Sequence, residues 1–307
     1  MSLRIIPPEI ASQQEELARL IQRHAAADGT HGTAVGALHF LRSSRVMEPI
    51  HRVSKPSICV VAQGAKTSAL GEERYVYDPS AYLVTSVQLP IIGRIVEASP
   101  EAPFLGLEIT FNTDDILKVA QKTDSIGDGE TGPGIMVNPT TPELLDPIIR
   151  LVKLLDKPED IPFLAPLIVR EILYRVLQGE PGALMKQFAV SGSYANGVAK
   201  AIHHIKRDYD KPISIEELAK EVNLSPSALH KHFKKVTNLS PLQYQKMIRL
   251  QEARRLLLTE ALNAADAGFR GGYESPTQFS REYARMFGRP PISDVKQMRD
   301  SINGFEM

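Results

Sequence analysis

The sequence carries a single cysteine, Cys59, among 307 residues. One thiol excludes an intrachain disulfide and a zinc-finger cluster. No apolar run comes near the roughly 20 residues that cross a bilayer. No basic start leads into an apolar stretch either, so neither a membrane span nor a signal peptide is expected, and the expected setting is cytoplasmic. An excess of one charge sign is also missing, since 36 Lys and Arg balance 36 Asp and Glu. The balance hides a division. Residues 191–307 carry a net +5 and residues 1–190 a net −5, as expected for a DNA-binding domain attached to something that does not bind DNA. The length suggests two domains. A hydrophobic content of 43% with 23% charged residues is ordinary for a soluble globular chain.

What is present is clearest at residues 225–235. Ser225 is a good N-cap, because its hydroxyl can accept an orphan backbone N–H. Pro226 follows at the first helical position, where a missing N–H costs nothing. Leu229, Phe233 and Val236 then recur on one helical face, while Ser227, His230, Lys231, Lys234 and Lys235 occupy the other. Ahead of this lies a second short helix, opened by Ser214 with Glu217 as a capping box and closed at Asn223, which tolerates a left-handed turn. Helix, tight turn and helix with a basic front is the layout of a DNA-reading helix-turn-helix. A plain amphipathic pair with a few solvated lysines would look the same.

Repetition favours the DNA reading. Fifty positions after Ser225-Pro226-Ser227 stands Ser275-Pro276-Thr277. At the same offset Leu229 falls on Phe279, Lys231 on Arg281, Phe233 on Tyr283, Asn238 on Gly288 and Pro241 on Pro291. A period seen twice suggests a duplicated unit and not a solenoid. Between the copies, residues 241–258 hold no glycine and no interior proline, so one continuous helix is expected. Its length of roughly 27 Å suits a strut presenting two reading helices to successive major grooves about 34 Å apart.

These residues resemble the paired helix-turn-helix of the AraC/XylS transcription regulators. The likeness is carried by Leu-Ser-Pro-Ser-Ala-Leu-His-Lys-His-Phe at 224–233, Leu-Ser-Pro-Leu-Gln-Tyr-Gln-Lys at 239–246, Arg-Leu-Gln-Glu-Ala-Arg-Arg-Leu-Leu at 249–257 and Gly-Tyr-Glu-Ser-Pro-Thr-Gln-Phe-Ser-Arg-Glu-Tyr at 272–283. It implies base-edge contacts at Ser227, His230 and Lys231 in the first unit, with Lys234 on the same front. In the second unit it implies Pro276, Thr277, Gln278, Ser280 and Arg281. Arg281 and Gln278 suit guanine and adenine edges respectively. The chain departs from the family at Gly268 and Gly271, where alanine and valine are usual. Glycine costs a helix about 1 kcal/mol against alanine, so a weak scaffold helix is expected over about 263–271. Pro276 offers no side-chain donor or acceptor, so the second unit is expected to rely on Arg281 and phosphate contacts.

The N-terminal part reads differently. A leading amphipathic helix is expected over 9–27. Short strands are expected at Thr33–Leu41, Ser57–Gln63, Lys66–Leu70, Arg74–Tyr77, Ala81–Val87, Ile91–Glu97 and Leu105–Phe111, with turns at Gly71-Glu72-Glu73 and Asp78-Pro79-Ser80. Such spacing suggests a sandwich or barrel. A helix at 114–121 and a mobile loop at 124–134 follow. Next comes an antiparallel helical hairpin, Pro142–Leu155 and Phe163–Gln178. Its second helix is expected to bury Leu164, Leu167, Ile168, Ile172 and Val176. The hairpin either packs on its own domain or pairs with a second subunit. Ser191-Gly192-Ser193 marks the junction, and Ala195–Tyr209 opens the C-terminal part.

Residues 55–64, 82–90 and 160–167 resemble the cupin-like N-terminal module of AraC-type regulators. The fold expected is therefore α+β in two domains. Residues 1–190 form a cupin-like β-barrel with a helical hairpin for effector binding and dimerisation, and residues 191–307 form an all-α double helix-turn-helix. Cys59 and Tyr82, inside the matching stretches, are the candidate effector contacts. Cys59 is either a sensor thiol or a buried apolar residue. Metal-dependent cupins use His-x-His, and none occurs before residue 230, so no metal, cofactor or catalytic set is expected. The resemblance implies promoter DNA, RNA polymerase, a small-molecule effector and a second copy of the chain as partners, with activation as the usual outcome. The other readings are a cupin-type enzyme fused to a DNA-binding domain and an architectural DNA-binding protein with an inert barrel.

Overall fold

The computed structural model describes residues 8–120, 131–189, 192–260 and 262–303. The expected loop at 124–134 falls largely outside them, as does Ser191. The chain opens with helix α1 (Pro8–His24), which buries Ile10, Leu17, Leu20 and Ile21. Ten strands follow, nine of them before a short helix α2 (Thr113–Ala120): β1 (Gly29–Gly32), β2 (Leu38–Ser43), β3 (Ile50–Ser54), β4 (Ser57–Gln63), β5 (Ala65–Leu70), β6 (Glu73–Tyr77), β7 (Ala81–Thr85), β8 (Leu89–Glu97) and β9 (Phe104–Thr110), with β10 (Ile135–Pro139) after it.

These strands form two antiparallel sheets, a six-stranded one in the order β1-β2-β9-β4-β7-β10 and a four-stranded one in the order β3-β8-β5-β6. Among the described residues no pairing joins the two, so they face each other as an open sandwich and not as the closed barrel expected, an arrangement still compatible with a cupin-like module. The six-stranded sheet is covered on both faces. Ile58, Val60, Tyr82, Val84 and Leu107 pack toward α1 and the helical hairpin, while Cys59, Val61 and Leu83 belong to the core on the other side. Alternate residues of a strand point to opposite faces, which is why β4 is apolar from Ile58 to Ala62.

Three departures from expectation have local causes. The strand expected at 33–41 is broken, because the Thr33 hydroxyl accepts from the Val35 N–H and donates toward the Val35 and Leu38 carbonyls. That local competitor folds the chain back between β1 and β2. β3 and β10 were not expected: β3 has no apolar alternation, and both are completed by pairing with distant strands. In the hairpin, α3 (Pro142–Lys153) and α4 (Ile161–Gln178) form as expected. Yet α4 buries Ile161, Ala165, Ile168, Ile172 and Val176 and turns a second apolar stripe outward. Leu164 and Leu167 are exposed, as are Phe163 and Tyr174. An additional helix, α5 (Glu180–Ala189), then leads toward the C-terminal part.

That part is all helical: α6 (Tyr194–Arg207), α7 (Ile215–Glu221), α8 (Pro226–Thr237), α9 (Pro241–Thr259), α10 (Ala264–Arg270), α11 (Pro276–Phe287) and α12 (Pro291–Asn303). The duplication is physical. Leu229 and Phe233 of α8 and Phe279 and Tyr283 of α11 are all completely buried. Asn238 and Gly288 close the two helices in the left-handed conformation, at φ 55° and 79°. The strut α9 is one unbroken helix of 19 residues, about 28 Å long. Its first half buries Tyr244 and Ile248 in the first unit; its second half buries Leu250, Ala253 and Leu257 in the second.

Candidate nucleic-acid interface and interior cavity

Each reading helix begins as its sequence requires. The Ser225 hydroxyl accepts from the Ala228 N–H at 3.2 Å, and the Ser275 hydroxyl from the Gln278 N–H at 3.4 Å. Ser214 caps α7 by accepting from Glu217, and a reciprocal capping box is completed two helices later, at Ser240 and Gln243 of α9. Ser227, His230, Lys231 and Lys234 on α8 are exposed, as are Pro276, Thr277, Gln278 and Arg281 on α11, with Ser280 half-buried. Among the described residues, His230, Lys231, Lys234 and Arg281 make no ion pair. Gln278 lies beside Glu282, which receives Lys246 and the Tyr273 hydroxyl. His203 is exposed, and His204 pairs with Glu221 at 2.7 Å.

The scaffold helix of the second unit forms with both glycines in place. α10 is capped by Asn263, which accepts from Asp266. Gly268 is buried against the aromatic ring of α11: a Cβ there would lie 2.9 Å from the Phe279 ring. The glycine is what lets α11 approach. The left-handed turn falls at Gly272, where a side chain would meet the Asp210 carbonyl at 2.3 Å. Behind the reading face, Arg254 holds Asp294 through two hydrogen bonds of 2.7 and 2.8 Å. The Tyr283 hydroxyl donates to the same carboxylate at 2.7 Å, and Arg254 stacks 4.3 Å over Phe287.

The N-terminal module grips the first unit from behind. His232 stacks on Tyr194 and bonds the Thr131 hydroxyl. The Gly134 N–H donates to the Val236 carbonyl, the Asn238 amide to the Leu70 carbonyl and the Tyr244 hydroxyl to the Gln88 carbonyl, at 2.9, 3.1 and 3.0 Å. The second unit is touched at His51, whose ring meets Phe287 edge-on at 5.0 Å. Burial first, and then Arg254, pushes the His51 pKa down to about 4, against the pull of Asp294.

Between the sheets lies a cavity of about 40 Å³ lined in part by Arg52, Cys59, Lys66, Tyr77 and Glu108. The Arg52 guanidinium donates to both Glu108 oxygens, at 2.8 and 3.4 Å, and Ser57 donates to Glu108 at 3.0 Å. Burial opposes the Glu108 charge, but the Arg52 ion pair and these hydrogen bonds outweigh it and lower its pKa. Burial also opposes the Arg52 charge, and the Glu108 carboxylate bonded to it outweighs that, raising its pKa. Burial, helped by Glu108, pushes the Cys59 thiol up, the setting of a protonated and unreactive thiol. Cys59 thus lines this cavity. Tyr82 does not: it faces the helices across the sheet, so the two expected effector contacts do not share a site. Arg52, Lys66, Tyr77 and Glu108 were not anticipated. The one signal in the sequence is Glu108 within the otherwise apolar run Phe104-Leu105-Gly106-Leu107-Glu108-Ile109. Among the described residues, no cluster of three His, Cys, Asp or Glu could hold a metal ion, and no helix is long and apolar enough to cross a membrane.

A two-sheet module joined to a paired helix-turn-helix on a central strut defines the class of molecule. Residues 34–184 match the family described as "AraC-type transcriptional regulator N-terminus", and residues 218–297 match "Helix-turn-helix domain". The chain belongs to the AraC/XylS family of transcription regulators. It is 30% identical over 122 residues to the lactose operon transcription activator of Staphylococcus xylosus, covering 39% of this chain and 44% of that one. It is 30% identical over 136 residues to the transcriptional activator RhaS of Klebsiella pneumoniae, covering 43% and 47%. The chain thus spans less than half the length of these relatives. The fold is shared with ToxT of Vibrio cholerae, solved with an unsaturated fatty acid bound, at a TM-score of 0.56 and 10% identity over 83% of this chain and 94% of that one.

Proposed function

We propose that this protein is a sequence-specific regulator of transcription that binds double-stranded promoter DNA and answers to a small-molecule effector held by its N-terminal module. The observation that carries the reading is the duplication. Two capped helices present unpaired basic side chains, and one rigid helix buries its two halves in the two units. Lys231 and Arg281 are the anchors, with Ser227, His230, Lys234, Pro276, Thr277, Gln278 and Ser280 around them. The names of the relatives, both activators, support activation and hence a contact with RNA polymerase. A division near residue 190 separates effector and DNA functions, and the protein acts in the cytoplasm. The outward stripe of α4, with Phe163, Leu164, Leu167 and Tyr174 exposed, suits pairing with a second copy, since contiguous apolar surface marks interaction sites.

The test is footprinting on the gene's own neighbouring promoters, with and without metabolite extracts. Protection should be specific and should weaken steeply with salt, because lysines and arginines release counterions from phosphates. Protection that is uniform along any DNA, or indifferent to salt, contradicts the reading.

A further inference from the structure

The interior cavity poses a physical problem. Lys66 is only 9% exposed, yet among the described residues its ammonium makes no hydrogen bond and no ion pair. Arg52 is satisfied only in part: its two terminal nitrogens reach Glu108 while its buried Nε has no partner. The cavity wall therefore carries two cationic side chains and one carboxylate, and the carboxylate is already spent on Arg52 and Ser57. A cation held this far from water without a partner is costly, although among the described residues it is Arg52 Nε, not the Lys66 nitrogen, that is both fully buried and unpartnered. Burial, with Arg52 close by, lowers the Lys66 pKa against the pull of Glu108, so a negative charge placed beside it is what would favour its ammonium form. The Tyr77 hydroxyl adds a further polar group: it is buried and meets the Ser68 hydroxyl at 3.3 Å.

We propose that this cavity binds a small monoanion, held between the Lys66 ammonium and the Arg52 guanidinium. The charge count asks for one negative charge. The size follows from the volume: about 40 Å³ exceeds the roughly 10–15 Å³ that one water needs. It suits an anionic group of a few heavy atoms, such as formate, acetate, bicarbonate or nitrate. The site rests on the proposed effector-responsive function and names the class of effector. It also has a route outward. Arg52 and His51 are neighbours on β3 and so point to opposite faces of the sheet, Arg52 into the cavity and His51 onto Phe287 of the second helix-turn-helix. An anion that draws Arg52 from Glu108 acts on the strand that touches the DNA-binding part.

The experiment is calorimetric titration of the full chain, free of DNA, with sodium formate, acetate, bicarbonate and nitrate at constant ionic strength set by gluconate, which is too bulky for the cavity. At least one anion should bind saturably. In Lys66→Met its affinity should fall about tenfold or more, the value of one charge-assisted contact, while the unliganded variant melts at a higher temperature because a lone buried charge is gone. In Glu108→Gln the competing carboxylate is removed and affinity should rise. No saturable binding of any of the four anions, or equal affinity in wild type and Lys66→Met, overturns the proposal. So does unchanged or weaker binding in Glu108→Gln. Because the readout contains no DNA, its failure leaves the DNA-binding reading intact, and a failed footprint leaves this site standing.

Discussion

Leu229, Phe233 and Val236 of the first helix-turn-helix share one core with Val87, Leu89 and Ile91 of the N-terminal module. Phe279 and Tyr283 of the second pack in a separate core with Leu250, Tyr273 and Val295. Two copies of one sequence pattern are thus supported in opposite ways. The first is fused to the N-terminal module through its core and through hydrogen bonds at Leu70, Gln88, Thr131 and Gly134. The second is self-supporting, built around an aromatic chain and the buried Arg254–Asp294–Tyr283 network, and is met by the sheets at His51. The N-terminal module therefore meets the first unit broadly and the second narrowly.

The comparison can be broken most strongly at Asp294. Replacing Asp294 by Ala strands the half-buried Arg254 charge and the buried Tyr283 hydroxyl, a loss of about 3 kcal/mol, the low end for a buried pair. Hydrogen exchange should accelerate through α11 and α12 while α8 keeps its protection; equal acceleration in α8 would make the two units one. Acid comes next. The docked His51 takes up a proton only near pH 4, whereas a freed imidazole does so near 6.5. The contact with Phe287 is therefore fully present above about pH 6.5 and is lost as the pH falls toward 4, by at most about 3 kcal/mol. Exchange at the end of α11, followed between these limits, should show the loss in wild type and not in His51→Leu.

Gly268→Ala is the next step down. Helix propensity favours alanine by about 1 kcal/mol, but overpacking against the buried Phe279 ring costs about 1–3 kcal/mol. Net destabilisation of the second unit is expected in a denaturant melt, and a stabilised variant would restore the view of α10 as a weak helix. The smallest effect belongs to Tyr244→Phe, which removes the hydroxyl bond to Gln88 for about 1 kcal/mol. It should loosen the first unit from the sheets and leave the second unchanged in exchange measurements.

Much of this was legible in the residues. Ser-Pro at 225–226 and 275–276, and Asn238 and Gly288 at the helix ends, are local signals whose physics is local, so caps, helices and duplication could be read directly. β3 and β10 carry little signal because their partners supply the hydrogen bonds. Leu164 and Leu167 mislead because α4 has two apolar stripes and periodicity does not say which one is covered. The cavity was hidden because Arg52, Lys66, Tyr77 and Glu108 are scattered along the chain and meet only when the two sheets face each other.

The most direct measurement is a footprint and affinity series on one operator with wild type, Lys231→Ala, Arg281→Ala and, as a surface control, Arg74→Ala. Wild type should protect two major-groove segments about 34 Å apart on one face of the duplex, with Lys231→Ala weakening one, Arg281→Ala the other and Arg74→Ala neither. Protection of a single segment, or losses at Lys231 and Arg281 no larger than at Arg74, would contradict the account.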